Sequence, residues 1–252
     1  MTGAPDGGVR QAPAIGWIVD VQNDFMRPPD RGGRLYVRDL FDPSDQGATL
    51  ARAGIERAVR WMADHCDALV FTGDWHGLDD AEIDPVAPDP AAGTYPPHCM
   101  GRSEDPAERE GAEILESIRP RNPVVLEPDA SADDASRAAR AALAEGRPLF
   151  VRKTRFDVFA GNAGSEALLT ALREELGGWP PVYVAGVARD VCVTQAIDGM
   201  QARGYRTVAI RDATWGLGLE PEEETLARWA RGGEVVTLAE LEAAAPPRTT
   251  PR

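Results

Sequence analysis

The chain is poor in cysteine and histidine, with three of each in 252 residues. Cys66, Cys99 and Cys192 offer no paired framework, which excludes a disulfide-stapled fold and suits a reducing, cytoplasmic setting. No run of about 18 apolar residues occurs, so nothing reads as a membrane span. The first 13 residues are rich in Gly and Pro and lack the charged start and apolar middle of a signal peptide. Basic charge is also scarce, 27 Lys and Arg against 41 Asp and Glu, for a formal net charge of -14. With no basic stripe carrying interleaved aromatics, neither nucleic acid nor an anionic membrane surface is an expected partner. A nucleotide-type fold would need a Gly-rich fingerprint after its first strand, and here the sequence is Val21-Gln-Asn-Asp-Phe25.

What is present is an alternation of short apolar runs with helical patterns, the mark of parallel α/β construction. Strands are expected at Ile15–Val21, Ala68–Thr72, Pro148–Lys153, Val182–Val187, Thr207–Arg211 and Glu234–Thr237. The intervening segments are long enough for right-handed crossovers. Val124–Leu126 is compatible with a further strand, and Ala132–Glu145 is helix-prone from its alanines. Segments 25–46 and 77–97 are rich in Pro, Gly and Asp and too long for mere connections. The expected organisation is a disordered segment over 1–13, one domain over 14–242 and a flexible tail over 243–252.

Chemistry concentrates at the strand ends. Cys192 follows the fourth of these strands, in the first turn of an amphipathic segment beginning near Asp190. Unpaired N–H groups and the partial positive charge of a helix start favour a thiolate. Asp20 ends the first strand and Lys153 the third. In a doubly wound sheet such ends converge on one crevice, where a carboxylate takes the thiol proton and a lysine supports the anions. Taken singly, each has a plainer reading: an inert buried cysteine, a solvated carboxylate, a surface charge. Their joint occurrence favours the nucleophile set.

A second pattern is Asp74-Trp-His76 at a strand end, with His98 on a Pro-rigidified loop. Residues two apart on an extended strand point the same way. One carboxylate and two imidazoles make a first shell for Zn²⁺, Fe²⁺ or Mn²⁺. The alternative is that His76 and His98 are hydrogen-bonding loop residues. Cys99 is expected to pack inward, and His65 has no assigned role.

These segments in this order resemble the isochorismatase-like cysteine hydrolases, and within them the nicotinamidase/pyrazinamidase branch. The matching runs are Asp20–Phe25, Asp74–His76, Tyr95–Gly101, Gly111–Ile114, Lys153 and Gly186–Val193. The resemblance implies a doubly wound six-stranded parallel sheet with helices on both faces. It implies a Cys192/Asp20/Lys153 triad, an oxyanion hole from the Ala188 and Cys192 N–H groups, and a cis peptide at Val187–Ala188. It further implies a divalent metal, with zinc foremost, on Asp74, His76 and His98, and substrate contacts from Phe25, Trp75, Tyr95 and Phe159. Glu82 is the best fourth ligand, although Asp79, Asp80 and Asp84 crowd the same loop.

The implied activity is hydrolysis of nicotinamide to nicotinate and ammonia through a Cys thioester, in NAD⁺ salvage. Homo-oligomers are common among such enzymes. The sequence departs from the branch in its compact Thr154–Phe159 run and its expanded 102–113 stretch. These departures motivate a second reading, another C–N hydrolase acting on a different amide or a ureido substrate. A third reading is a catalytically silent, metal-bound interaction protein.

Overall fold

The apolar runs become one parallel sheet in the computed structural model, which describes residues 12–245. The expectations for residues 1–11 and 246–252 lie outside the described residues. In chain order the elements are β1 (Ile15–Val19), α1 (Asn23–Met26), α2 (Arg52–His65), β2 (Ala68–Asp74), α3 (Pro106–Ala112) and β3 (Val124–Leu126). Then follow α4 (Ala132–Glu145), β4 (Leu149–Lys153), α5 (Val158–Gly161), α6 (Ser165–Glu175), β5 (Val182–Val187), α7 (Thr194–Ala202), β6 (Thr207–Trp215), α8 (Glu222–Trp229), β7 (Gly233–Val236) and α9 (Leu238–Ala244). No helix among them is long and apolar enough to cross a membrane.

The strand order is β3-β4-β2-β1-β5-β6-β7, seven parallel strands and not the expected six. The additional strand is β3, three residues at the sheet edge with only Leu126 buried. An edge strand that short and that exposed carries no periodic signal. A second correction concerns the C-terminus: α9 continues to Ala244, and Trp61 Nε1 donates to the Ala245 carbonyl at 3.1 Å. The expected tail from 243 therefore begins inside a packed helix, which opens on a capping box between Thr237 and Glu240.

β1 is buried at all five positions, as expected of a central parallel strand covered on both sides. The chain leaves β1 toward β2 in one direction and later leaves β5 toward β6 in the other. Right-handed crossovers then place α2 on one face and α4, α6, α7 and α8 on the opposite face. The packing agrees: α2 lies against α9, α4 against α6, and α7 against α8. The reversal falls between β1 and β5, and an open sheet holds its ligands in the crevice at the carboxyl end of that switch point.

Candidate active site

Four strand ends meet at this crevice. Asp74 and Lys153 are register partners closing β2 and β4. Asp20 follows β1 in a left-handed backbone conformation, φ 50°, which turns the chain out of the sheet. Gly186 of β5 has φ 130°, and a Cβ there would collide with the Val19 backbone, so only glycine lets β5 approach β1 so closely. The Val187–Ala188 peptide is cis. Cys192 sits in the π-helical turn Arg189–Val193 that precedes α7, closed by the Val193 N–H bonding the Ala188 carbonyl at 3.1 Å.

Lys153, the single lysine of the chain, is 1% exposed. Its Nζ lies 2.9 Å from Asp20 Oδ2, hydrogen bonds Asp74 Oδ1, and donates to the Arg155 carbonyl at 3.1 Å. One ammonium thus joins two buried carboxylates that would otherwise repel. Thr72 Oγ1 adds a hydrogen bond to Asp20 Oδ1 at 2.6 Å. Burial pushes the Asp20 carboxyl up while Lys153 opposes the shift. Burial acts on Asp74 too, but Lys153 and the two imidazoles outweigh it and hold Asp74 well below the usual carboxylate range. Lys153 itself is driven well above its ordinary value: burial works against its charge, and the two aspartates override it.

Cys192 is 4% exposed, and its Sγ lies within 4.8 Å of an Asp20 carboxylate oxygen. Burial pushes this thiol well above the ordinary cysteine range, with Lys153 pulling the other way. The favourable field of a helix start is not the largest influence here. Cys192 precedes α7 and is dry, so desolvation wins and the resting sulfur carries its proton. A base within reach is then required for nucleophilic attack, and Asp20 is in place.

Asp74 also belongs to a second set with His76 and His98, all fully buried, with one ligand atom from each within 4.8 Å of the others. His76 Nε2 is 3.7 Å and His98 Nε2 is 3.8 Å from Asp74 Oδ2. These three atoms are buried without a hydrogen-bond partner. The other ring nitrogens are occupied, His76 Nδ1 by Asp80 Oδ2 at 3.0 Å and His98 Nδ1 by the Pro96 carbonyl at 2.7 Å. Both acceptors demand a proton on Nδ1, which turns the Nε2 lone pairs toward Asp74. Burial disfavours an imidazolium, yet the Asp74 and Asp80 carboxylates outweigh it and push His76 up to about 9 when no cation is bound; a metal at Nε2 takes the place of that proton. Three converging orphan acceptors, oriented from behind, fit a divalent cation. Tetrahedral zinc ligands at about 2.0 Å from the metal would stand roughly 3.3 Å apart, a small contraction from the separations seen.

Glu82 is not part of this convergence. Its Oε2 instead accepts the Phe156 N–H at 2.8 Å, and burial, with the Asp74 charge nearby, pushes its carboxyl up to about 7. Asp80 supports His76 from behind, and Asp79 faces Arg102 at the surface. Cys99 packs inward as expected, fully buried with Sγ 3.8 Å from the Gly111 carbonyl.

The cavity above Cys192 is small, about 20 Å³, and lined by Phe25, Leu35, Val37, Tyr95, Phe156, Ala188, Val191, Cys192 and Leu217. None of these side chains is charged, and the thiol is the one reactive group among them. Phe25 leans on His98 with ring centroids 5.4 Å apart, and Tyr95 meets Phe156 edge-on at 5.2 Å. The cavity therefore adjoins the His/Asp set as well as the thiol.

The family profile described as the isochorismatase domain matches residues 17–240. The chain belongs to the isochorismatase family. Comparison with curated proteins gave no match. Among solved structures, a nicotinamidase/pyrazinamidase from Bacillus subtilis superposes with a TM-score of 0.60 at 19% identity, covering 89% of this chain and 99% of the other. The N-carbamoylsarcosine amidase from Thermoplasma acidophilum gives 0.56 at 19% identity, over 89% and 96%. The pyrazinamidase of Pyrococcus horikoshii in complex with zinc gives 0.56 at 21% identity, over 89% and 99%. At these identities the similarity is one of fold.

Within this isochorismatase-family site the structure brings together Asp20, Lys153 and Cys192; Asp74, His76 and His98; and Phe25, Tyr95 and Ala188 at the cavity. It does not bring Trp75 or Phe159 there. Trp75 follows Asp74 directly, and alternation along the strand sends it to the opposite side, under the Arg152 guanidinium at 3.7 Å and beside Phe150. Phe159 lies on α5 against Gly199 of α7 and beneath Arg203. Phe156, three residues earlier, faces the cavity instead. Sequence reasoning missed Leu35, Val37, Val191 and Leu217, which stand in segments without periodicity. One available signal went unused: a lone lysine at a strand end, in a chain that otherwise uses only arginine for fixed positive charge, marks a position where a compact ammonium is required.

Proposed function

We propose that this isochorismatase-family hydrolase is a metal-dependent cysteine amidohydrolase acting on a small heteroaromatic carboxamide of the nicotinamide type. One observation carries the reading. Lys153 bridges the Asp20 base of a cysteine nucleophile to the Asp74 ligand of an Asp/His/His set, making the two a single electrostatic unit. A zinc-bound pyrazinamidase among the structural neighbours supports the choice of metal.

In this mechanism Asp20 removes the Cys192 proton as the sulfur attacks the carboxamide carbon. Lys153 keeps Asp20 ionised until that moment and then offsets the negative charge the two groups share. Backbone N–H groups of Ala188 and Cys192 receive the oxyanion, each contributing on the order of 10²–10³ in kcat. Asp20 returns the proton to the departing ammonia, leaving a thioester, and next takes a proton from the water that hydrolyses it. Asp74, His76 and His98 would hold the metal, whose Lewis acidity supplies a fixed point for a ring nitrogen or a bound water. Phe25, Tyr95 and Phe156 supply the aromatic lining for the ring.

The cavity wall bears on the substrate. A ureido substrate whose carboxylate turned toward Leu35, Val37 and Leu217 would bury that charge where no cationic side chain lines the wall, at a cost of several kcal/mol. An uncharged aromatic amide has no such cost. The test is ammonia release from nicotinamide and from N-carbamoyl amino acids, after chelation and after add-back of zinc, iron or manganese. Turnover of nicotinamide restored by metal supports the reading, and turnover of the carbamoyl compounds alone rejects it.

A further inference from the structure

Resting on the metal reading above, we propose that Gln22 is a positioning residue that fixes the orientation of Asp74 by standing in for the missing end of β1. The argument begins with strand register. β1 stops at Val19, and the left-handed turn at Asp20 takes the chain away. β2 continues to Asp74. The Thr72 carbonyl accepts the Asp20 N–H, so Thr72 presents its peptide groups to the β1 side. Two residues further, Asp74 presents its N–H and C=O to the same side, where no backbone remains to meet them.

The Gln22 carboxamide fills that place. Its Oε1 accepts the Asp74 N–H at 2.8 Å, and its Nε2 donates to the Asp74 carbonyl at 2.8 Å. The second Nε2 hydrogen goes to the Ala112 carbonyl at 2.7 Å. Both amide hydrogens and the oxygen are thus engaged in a fully buried side chain, while the Gln22 backbone bridges to Ile114. The side chain cannot shift without breaking several bonds at once.

The consequence falls on the metal ligand. Asp74 Oδ1 is committed to Lys153, and Oδ2 is the orphan atom facing both imidazoles. A rotation of the Asp74 peptide would swing Oδ2 out of that convergence. Gln22 blocks the rotation from the same turn that carries Asp20. The base of the nucleophile and the ligand of the metal are then set by one short segment.

The test titrates Co²⁺ into the metal-free full chain, its Gln22→Glu variant and its Gln22→Met variant, reading the visible absorption of the bound ion. Glutamate keeps the shape but sets an oxygen against two carbonyls. Methionine removes all three bonds. Both variants should bind Co²⁺ about 10–100-fold more weakly, with a changed absorption band. A purely structural glutamine would lower the melting temperature of the metal-free protein and leave affinity and band alone, and that result overturns the proposal. If Gln22→Met does not fold, Gln22→Glu decides. If the unaltered chain fails to bind Co²⁺, the metal reading falls and this inference with it. Binding by the variants equal to that of the unaltered chain overturns this inference alone.

Discussion

Lys153 Nζ and Asp20 Oδ2 lie 2.9 Å apart with side chains 1% and 0% exposed, and the same ammonium also contacts Asp74. A buried cation between two buried carboxylates is tolerable only as a complete set.

Lys153→Met should therefore do more than remove a catalytic group. It leaves Asp20 and Asp74 facing each other in a dry site, at an expected cost of about 3–5 kcal/mol of stability. Chemical denaturation measures that loss. Ammonia release should fall by at least about 10²-fold, because Asp20 would take up a proton and cease to act as a base.

Cys192→Ala should abolish turnover and leave Zn²⁺ affinity unchanged, since the sulfur is not among the three atoms that converge from Asp74, His76 and His98. Isothermal titration of the metal and the ammonia assay on one preparation check both halves.

Metal removal should lower the melting temperature of the protein. A cation that binds only the folded state stabilises by about 2.7 kcal/mol at 100 times its dissociation constant. Thermal unfolding with chelator and with added Zn²⁺ measures the shift, and His98→Ala should erase most of it.

Gly111→Ala should destabilise the fold by roughly 1–3 kcal/mol, because the new Cβ would collide with the Asp24 carboxylate. That carboxylate accepts the Cys99 N–H at 2.7 Å and the Arg34 N–H at 3.2 Å, so the His98 loop should loosen as well. Amide hydrogen exchange at Cys99 reports that loosening.

Leu217→Ala should open the cavity over Cys192. Leu217 is held by Asp190 at its N–H, 2.9 Å, and by the Leu40 N–H at its carbonyl, 2.8 Å, so the backbone should stay in place while side-chain volume is lost. Carboxamides larger than nicotinamide should gain about tenfold in relative kcat/KM, measured by competition.

Much of the site was legible in the sequence because parallel strands translate directly into position. An apolar run followed by Asp20, Asp74, Lys153 or the Cys192 turn places each residue at the carboxyl edge, and the strand order does the rest. Period-2 geometry paired Asp74 with His76, and the same geometry, applied one residue on, would have excluded Trp75 from the cavity. The seventh strand stayed an open alternative because β3 is three residues long and mostly uncovered. The cavity wall escaped notice for a different reason. Leu35, Val37 and Leu217 come from two irregular segments brought together by one backbone hydrogen bond, Leu40 to Leu217, a contact that no local pattern encodes. The effect of burial on the Cys192 thiol was not legible, because burial depends on the assembled fold and not on distance from a helix start.

The central claim is a covalent acyl intermediate on Cys192. Its most direct test is acid quench during turnover of nicotinamide by the zinc-loaded protein, followed by peptide mass spectrometry. A nicotinoyl adduct on the Cys192 peptide, present during turnover and absent once substrate is exhausted, is the predicted result. Ammonia release with Cys192 unmodified throughout, and retained in the Cys192→Ala variant, would contradict it.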